Sequence, residues 1–462
     1  MFDKLLVANR GEIAVRIIQA ARELGLKTVA IFSDADEDSL AARRADEAVA
    51  IGPPHASKSY LNMEAIIAAA RQTGAGAIHP GYGFLSENAR FAEAVEAAGM
   101  VFVGPAPETI RMMGDKAAAR AAAMRAGVPV VPGSDGEVTD LDKARTAARD
   151  IGYPVMIKAS AGGGGRGIRV VDDPAALDNH FSTAQAEAAA AFGNGALYLE
   201  RFLRKARHIE VQILGDGERV VHLFERECSL QRRRQKIWEE APSPAIDDAT
   251  RAALCASAVR LAERAAYRGA GTLEYLYDEE ARQFFFIEMN TRVQVEHPVT
   301  EMITGIDLVR EMIGIAQGKP LRLAQRDIVM RGAAIEVRIN AEDPDRNFRP
   351  SPGRIASLAF PTGPGVRVDT MLYPGCAVPP YYDSLLAKLI VHAEDRVLAL
   401  ARLRRALGEL EIGGVVTTAT LHRRLVELDD VRDARFDTGF LERFLMAQIQ
   451  RPSKSAQTRR EV

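Results

Sequence analysis

Between Phe284 and Glu301 the chain reads FFFIEMNTRVQVEHPVTE, and the alternate residues Glu288, Asn290, Arg292, Gln294 and Glu296 are all polar. The intervening Ile287, Met289, Thr291, Val293 and Val295 are nearly all apolar. Extended backbone sends alternate side chains to opposite faces, so two acids, two amides and an arginine would share one face of a strand. The run TLEYLY, separated from this segment by DEEAR, reads as the other arm of a hairpin. A simple register about that turn sets Glu274 opposite Glu288, with Asn290 two residues on along the same face. Two carboxylates about 4 Å apart repel by about 1 kcal/mol in water and about 4 kcal/mol near a protein surface. A magnesium ion relieves the repulsion, because it takes a few hard oxygen ligands and leaves positions for phosphate oxygens. A solvated acidic face is the competing reading. A strand from 283 to 296 exceeds the usual length of roughly 3–10 residues, so a bend is expected after Asn290. Beyond it, Arg292 could fork onto a planar oxyanion and Glu296 could act as a general base.

Lysine is scarce, 11 against 49 arginines, so a lysine in an apolar or glycine-rich setting stands out. Lys158 ends the apolar run PVMIK just before the glycine run of 162–167, GGGGRG. That run formally matches G-x-G-x-x-G, but a second strand-like segment, IRVV, follows where a dinucleotide fold needs a helix. No Gly-Lys-Ser/Thr closes it, so it is not a P-loop, and the His-Arg-Asp and Asp-Phe-Gly sequences of a kinase are absent. Strand, glycine loop, strand is the form of a flap whose backbone N–H groups cover phosphates. A flexible surface hairpin is the plainer alternative. Lys116 follows Asp115, which can cap an Ala-rich helix ending at Gly127. The helix dipole disfavours a cation there, and a bound phosphate reverses that penalty. Other candidates are less specific. His208 alternates with Glu210 and Gln212 and reads as a structural polar residue, Cys228 reads as a structural thiol, and Arg232 to Lys236 is an isolated basic run. Tyr82 and Gly83 lie in a turn before a helix that Ser86 could cap.

The elements that must position these residues follow from periodicity. From residue 4 to about 110, strand-like and helix-like segments alternate (KLLVAN, EIAVRIIQAARELG, KTVAIFS, NMEAIIAAARQTG), which predicts a parallel, doubly wound sheet. A second region opens at GDKAAARAAAMRAG. It carries a helical stretch at 174–192, two strands about the Gly-Asp-Gly turn of RHIEVQILGDGERVVHLFERECSLQRRRQK, and a helix near 250–267. A third, from about 319, includes RGAAIEVRINAEDP, a Pro/Gly-rich stretch and a helix near 395–410, and the polar tail of 449–462 is expected to be disordered.

A chain of 462 residues predicts two or three domains. Net charge of -2 gives no reason to expect nucleic-acid or anionic-membrane binding. No apolar run approaches the roughly 20 residues of a membrane helix, no signal peptide is visible, and the three cysteines form no zinc or disulfide pattern, so a cytoplasmic location is expected.

The series ANRGEIAVRI, HPGYGFLSEN, MGDKAAA, KASAGGGGRG, ERECSLQRRRQK, EEAPSP, FIEMNTRVQVEHPVTE, RINAEDP and PPYYDS, in this order, resembles the biotin carboxylases of the ATP-grasp superfamily over about residues 1–445. The resemblance implies an α/β fold. An N-terminal domain would span 1–113, an ATP-grasp domain 114–318 with a mobile lid near 130–203, and a C-terminal α+β domain 319–448. It implies ATP-dependent carboxylation of biotin by bicarbonate through carboxyphosphate. By this resemblance Lys116, Lys158, Gly164, Gly165, Glu200, Arg201, Phe202, Leu203, His208, Gln231 and Arg234 would serve ATP, and Glu274, Glu288 and Asn290 would hold Mg²⁺ or Mn²⁺. Lys236, Arg292, Gln294 and Val295 would bind bicarbonate, with Glu296 as its base. Tyr82, Gly83 and Arg338 would face biotin, Arg338 stabilising its enolate. Two departures stand out: Arg234 where the family often has His, and Ala161 where a further Gly is common. No Met-Lys-Met biotinylation sequence is found. The expectation is therefore a free-standing subunit that acts on a separate biotin carboxyl carrier protein beside carboxyltransferase subunits, and the resemblance implies a homodimer. Acetyl-CoA carboxylase and fatty acid biosynthesis are the first setting. Pyruvate, propionyl-CoA and other carboxylases share the half-reaction, and another ATP-grasp ligase that forms an acyl phosphate is the rival enzyme.

Overall fold

The strands β1 (Lys4–Val7), β2 (Lys27–Phe32), β3 (Glu47–Ala50), β4 (Ala77–His79) and β5 (Val101–Phe102) form an all-parallel sheet in the order β3-β2-β1-β4-β5. Leu5 and Val7 pack into one apolar cluster with Ile13 and Ile17, while Leu6 packs into another with Ile66 and Phe91. Both faces of β1 are thus covered, which is why KLLV is a continuous apolar run. The helix Ala89–Ala97 is capped by Asn88, whose side chain accepts from Phe91 N at 3.0 Å. Ser86, expected in that role, lies two residues too early and is buried instead.

The computed structural model describes residues 2–159, 169–192 and 195–449. Gly164, Gly165 and the rest of the glycine run fall outside them, as does the tail from 450. The chain divides into two compact units: Pro129–Ala206 with Leu276–Ile287, and the remainder. The smaller unit holds β6 (Val155–Ala159), β7 (Arg169–Val171) and β8 (Leu197–Arg201) in the order β7-β6-β8, with the helices Leu141–Ile151 and Pro174–Phe192. Its core gathers Val155, Ile157, Leu177, Phe181, Leu197 and Leu199.

The larger unit adds β9 (Ala206–Asp216), β10 (Val220–Arg232), β11 (Gln235–Ala241), β12 (Arg268–Asp278), β13 (Gln283–Asn290) and β14 (Ala333–Asn340). With the strands Val366–Thr370 and Leu385–Ala393 these make one eight-stranded sheet, ordered β13-β12-β9-β10-β11-β14, then Leu385–Ala393, then Val366–Thr370. The end of β12 after residue 275 and the start of β13 before residue 288 belong to the smaller unit. The Gly-Asp-Gly stretch turns β9 into β10 as expected. β10 turns into β11 through Arg233 and Arg234, both at positive φ (47° and 68°), the conformation a two-residue hairpin turn requires.

Candidate active site

β13 ends at Asn290, where the bend was expected. Glu288 is half-buried and Asn290 buried. The opposite face is less uniform than alternation implies, since Ile287 is 39% exposed while Met289 is buried. Asn290 Nδ2 donates to Glu274 Oε1 at 2.8 Å, so the two hairpin arms meet at that carboxylate. Gln294 Nε2 also donates to Glu274 Oε1, at 2.8 Å, and His208 Nε2 lies 2.9 Å from Glu274 Oε2. Burial pulls the His208 pKa down, but Glu274 outweighs it and raises it to about 9. His208 thus pairs with Glu274 on the neighbouring strand, a contact its spacing alone did not indicate.

Beyond the bend, Thr291 N donates to Glu87 Oε1 at 3.1 Å and Arg292 Nε to Glu87 Oε2 at 2.8 Å. Arg292 Nη2 donates to Asn290 Oδ1 at 2.9 Å. Glu87, unassigned from sequence, therefore braces the corner between the metal candidates and the anion candidates. The chain re-enters a helix at His297–Thr304, directly after Glu296.

Lys236 on β11 is the hub. Its Nζ donates to Glu210 Oε2 at 2.6 Å, Glu296 Oε1 at 2.7 Å and Glu274 Oε1 at 3.0 Å. Burial alone would lower its pKa, but the three carboxylates hold it well above the usual value. Conversely, burial would raise Glu274 and Glu296, and Lys236 brings both below the ordinary carboxylate value. Arg338 on β14 donates through Nη2 to Glu296 Oε2 at 3.1 Å and through Nε to Glu239 Oε1 at 2.6 Å. Burial drives Glu239 up to about 7 despite Arg338. Gln231 is buried on β10 opposite Lys236, while Arg234 is exposed in the β10–β11 turn.

Tyr82 hydroxyl donates to Glu12, and Glu12 Oε2 lies 3.1 Å from Lys388 Nζ. Lys388 also donates to the Val295 carbonyl at 3.0 Å, which ties the Tyr82 turn to the anion segment. Gly83 has φ of 68°, which favours glycine at that point in the turn. Lys116 is exposed at the start of the helix Lys116–Arg125, capped by Asp115, which accepts from Ala118 N at 2.9 Å. In the smaller unit, Lys158 on β6 pairs with Glu200 on β8, Arg201 lies opposite Val155, and Phe202 N donates to the Pro154 carbonyl at 2.9 Å before Leu203. Among the functional candidates, sequence reasoning missed Glu87, Glu239 and Lys388. Glu210 had been noticed only as an alternating partner of His208.

Family models match three stretches. They are the biotin carboxylase N-terminal domain over residues 1–110, the ATP-binding domain of the carbamoyl-phosphate synthase L chain over 115–324, and the biotin carboxylase C-terminal domain over 336–443. A biotin carboxylase of Nostoc sp. is 54% identical over 96% of this chain and 99% of its own. A Campylobacter jejuni biotin carboxylase–β,γ-ATP complex is similar at 46% identity and TM-score 0.89, covering 96% of this chain and 99% of its own. The biotin carboxylase domain dimer of Hydrogenobacter thermophilus 2-oxoglutarate carboxylase, with MgADP, ADP and bicarbonate, matches at 49% identity and TM-score 0.87 over 96% and 98%. With three family models matched in succession and a relative 54% identical over 96% of the chain, the chain belongs to the biotin carboxylase family.

Proposed function

We propose that the protein carboxylates biotin with ATP and bicarbonate, giving carboxybiotin, ADP and phosphate. The observation that carries this reading is the junction at Glu274, where Asn290 and His208 meet the Lys236–Glu296–Arg338 cluster. The oxygens of Glu274, Glu288 and Asn290 are hard donors that suit Mg²⁺ or Mn²⁺. Burial and the nearby Glu274 push the Glu288 pKa up, as for a carboxylate short of positive charge. Such an ion, when bound, neutralises phosphate oxygens during phosphoryl transfer.

The remaining roles belong to the protein. Lys236 and Arg292 supply the positive charge for bicarbonate, with Gln294 and the Val295 backbone beside them. Glu296 takes the bicarbonate proton as its oxygen attacks the γ-phosphorus. Lys236 and Arg338 depress the Glu296 pKa, which makes it a weak base. An anion that draws Lys236 towards itself removes one of those cations and raises Glu296 basicity as the substrate arrives. The product, carboxyphosphate, yields CO₂ and phosphate. The phosphate takes the ureido proton of biotin, and Arg338 stabilises the enolate that results. Lys158, the glycines Gly164 and Gly165, and Glu200 to Leu203 are proposed to serve ATP, within an ATP-grasp domain over 114–318 flanked by domains over 1–113 and 319–448.

The biotin is proposed to be carried on a biotin carboxyl carrier protein, with carboxyltransferase subunits completing an acetyl-CoA carboxylase in the cytoplasm. A homodimer is proposed, supported by the dimeric Hydrogenobacter domain. No helix among the described residues is long and apolar enough to cross a membrane. The test is ADP release by purified protein with Mg²⁺ and bicarbonate, with and without free biotin. Stimulation by biotin is expected, and stimulation by an amine instead would overturn the reading. Arg338→Ala should keep nucleotide affinity and lose biotin carboxylation. Weakened nucleotide binding in that variant would contradict its role.

A further inference from the structure

Arg226 lies on β10 and is fully buried. A guanidinium offers five N–H donors and no acceptor. Its Nε donates to Glu210 Oε1 at 2.7 Å, and its Nη1 to Gln212 Oε1 at 2.8 Å and Thr300 Oγ1 at 3.1 Å. Its Nη2 donates to Thr272 Oγ1 at 3.1 Å and Gln294 Oε1 at 2.6 Å. Each donor therefore has an oxygen.

The contact to Gln294 constrains the direction of that side chain. An amide has one accepting and one donating end. Arg226 can only donate, so the amide oxygen must face it. The other end, Nε2, then points at Glu274 Oε1, which as a carboxylate can only accept. Both neighbours demand the same orientation. Gln294 is buried, so a flipped amide would set its N–H₂ group against a guanidinium and its oxygen against a carboxylate, both unfavourable.

We propose that Arg226 is a positioning residue of the bicarbonate subsite, locking the Gln294 amide so that its N–H₂ end is the one offered to the anion. Glu274 accepts one hydrogen of that end, and the second remains for an incoming oxyanion. The inference rests on the bicarbonate reading above.

The test is steady-state ADP release by the full chain with Mg²⁺, varying bicarbonate and ATP separately. The proteins are wild type, Arg226→Lys, Gln294→Ala and the double variant. Lysine keeps the charge beside Glu210 but lacks the fork that reaches several oxygens at once. Arg226→Lys should raise the bicarbonate KM about tenfold or more and leave the ATP KM within about twofold. Gln294→Ala should do the same, and the double variant should be no worse than Gln294→Ala alone, because both remove one interaction. Additive effects, or an equal rise in both KM values, would overturn the proposal. If Arg226→Lys does not fold by circular dichroism, Gln294→Glu reads the same point. A glutamate still accepts from Arg226 but presents no donor, so an unchanged bicarbonate KM there overturns the proposal too. A wild type without bicarbonate-dependent ADP release defeats the functional reading itself, an outcome distinct from a wild type that turns over beside an unaffected Arg226→Lys.

Discussion

At Lys236 three carboxylates from three different strands or turns converge on one ammonium, all within 3.0 Å. Removing one partner of a buried ion pair costs about 3–5 kcal/mol, because the charges left behind stay desolvated. Lys236→Met should therefore destabilise the fold by about that amount in urea denaturation, as well as abolish bicarbonate-dependent turnover. The pH dependence has a definite sign. With Lys236 gone, Glu210, Glu274 and Glu296 lose the cation that holds them below the ordinary carboxylate value. Their folded-state pKa values rise, so protonation favours the folded variant, and its deficit against wild type should shrink as pH falls from about 8 to about 6. A deficit that grows on acidification would contradict the arrangement. At this scale the sequence was most readable in the β12–β13 hairpin, where alternation and the turn already grouped Glu274, Glu288 and Asn290. Glu87 was not readable, because it meets Arg292 across 205 positions of chain and nothing local marks it.

Single elements place these residues, and β4 shows how. The strand ends at His79, which is buried, and its Nδ1 accepts from Gly81 N at 3.0 Å to start the turn that carries Tyr82. Burial, assisted by Arg16, pushes the His79 pKa down to about 3. Its folded value lies below its unfolded one, so the neutral imidazole's contribution is complete above about pH 6.5 and is lost as pH falls towards 3. Over that window His79 should impose a slope of up to about 1.4 kcal/mol per pH unit. His79→Asn should flatten it in urea denaturation at stepped pH, and an unchanged profile would show that the histidine titrates freely. Helices were the most legible elements: the stretch expected at 174–192 is the helix Pro174–Phe192, and the helix after Asp115 begins at Lys116. β11 was missed. Its Glu239 and Glu240 are buried against Arg338 and Arg396, so QKIWEEA carries charges where a core strand ordinarily carries apolar residues.

For the whole molecule, the sequence made the βα alternation of the first hundred residues plain but hid the discontinuous unit. That unit joins 129–206 to 276–287 through pairings such as Phe286 N to the Pro129 carbonyl at 2.7 Å, which no local pattern encodes. The larger unit contains all three metal candidates, so ligand binding there should register in its melting. A ligand that binds only the folded chain at a hundredfold its Kd stabilises by about 2.7 kcal/mol. With an unfolding entropy of about 2.1 cal/mol/K per residue, a 462-residue chain melting as one should gain about 3 °C, and more if the larger unit melts by itself. Thermal melts with ADP, with and without Mg²⁺, separate the parts of this gain. Wild type should show a magnesium-dependent increment on top of the ADP effect. Glu288→Gln trades a carboxylate for a weaker, neutral donor and should lose most of that increment. Arg338→Ala should keep it, since Arg338 contacts Glu239 and Glu296 rather than the metal candidates. An undiminished increment in Glu288→Gln would remove Glu288 from the metal set and return its side of the hairpin to the status of a solvated acidic face.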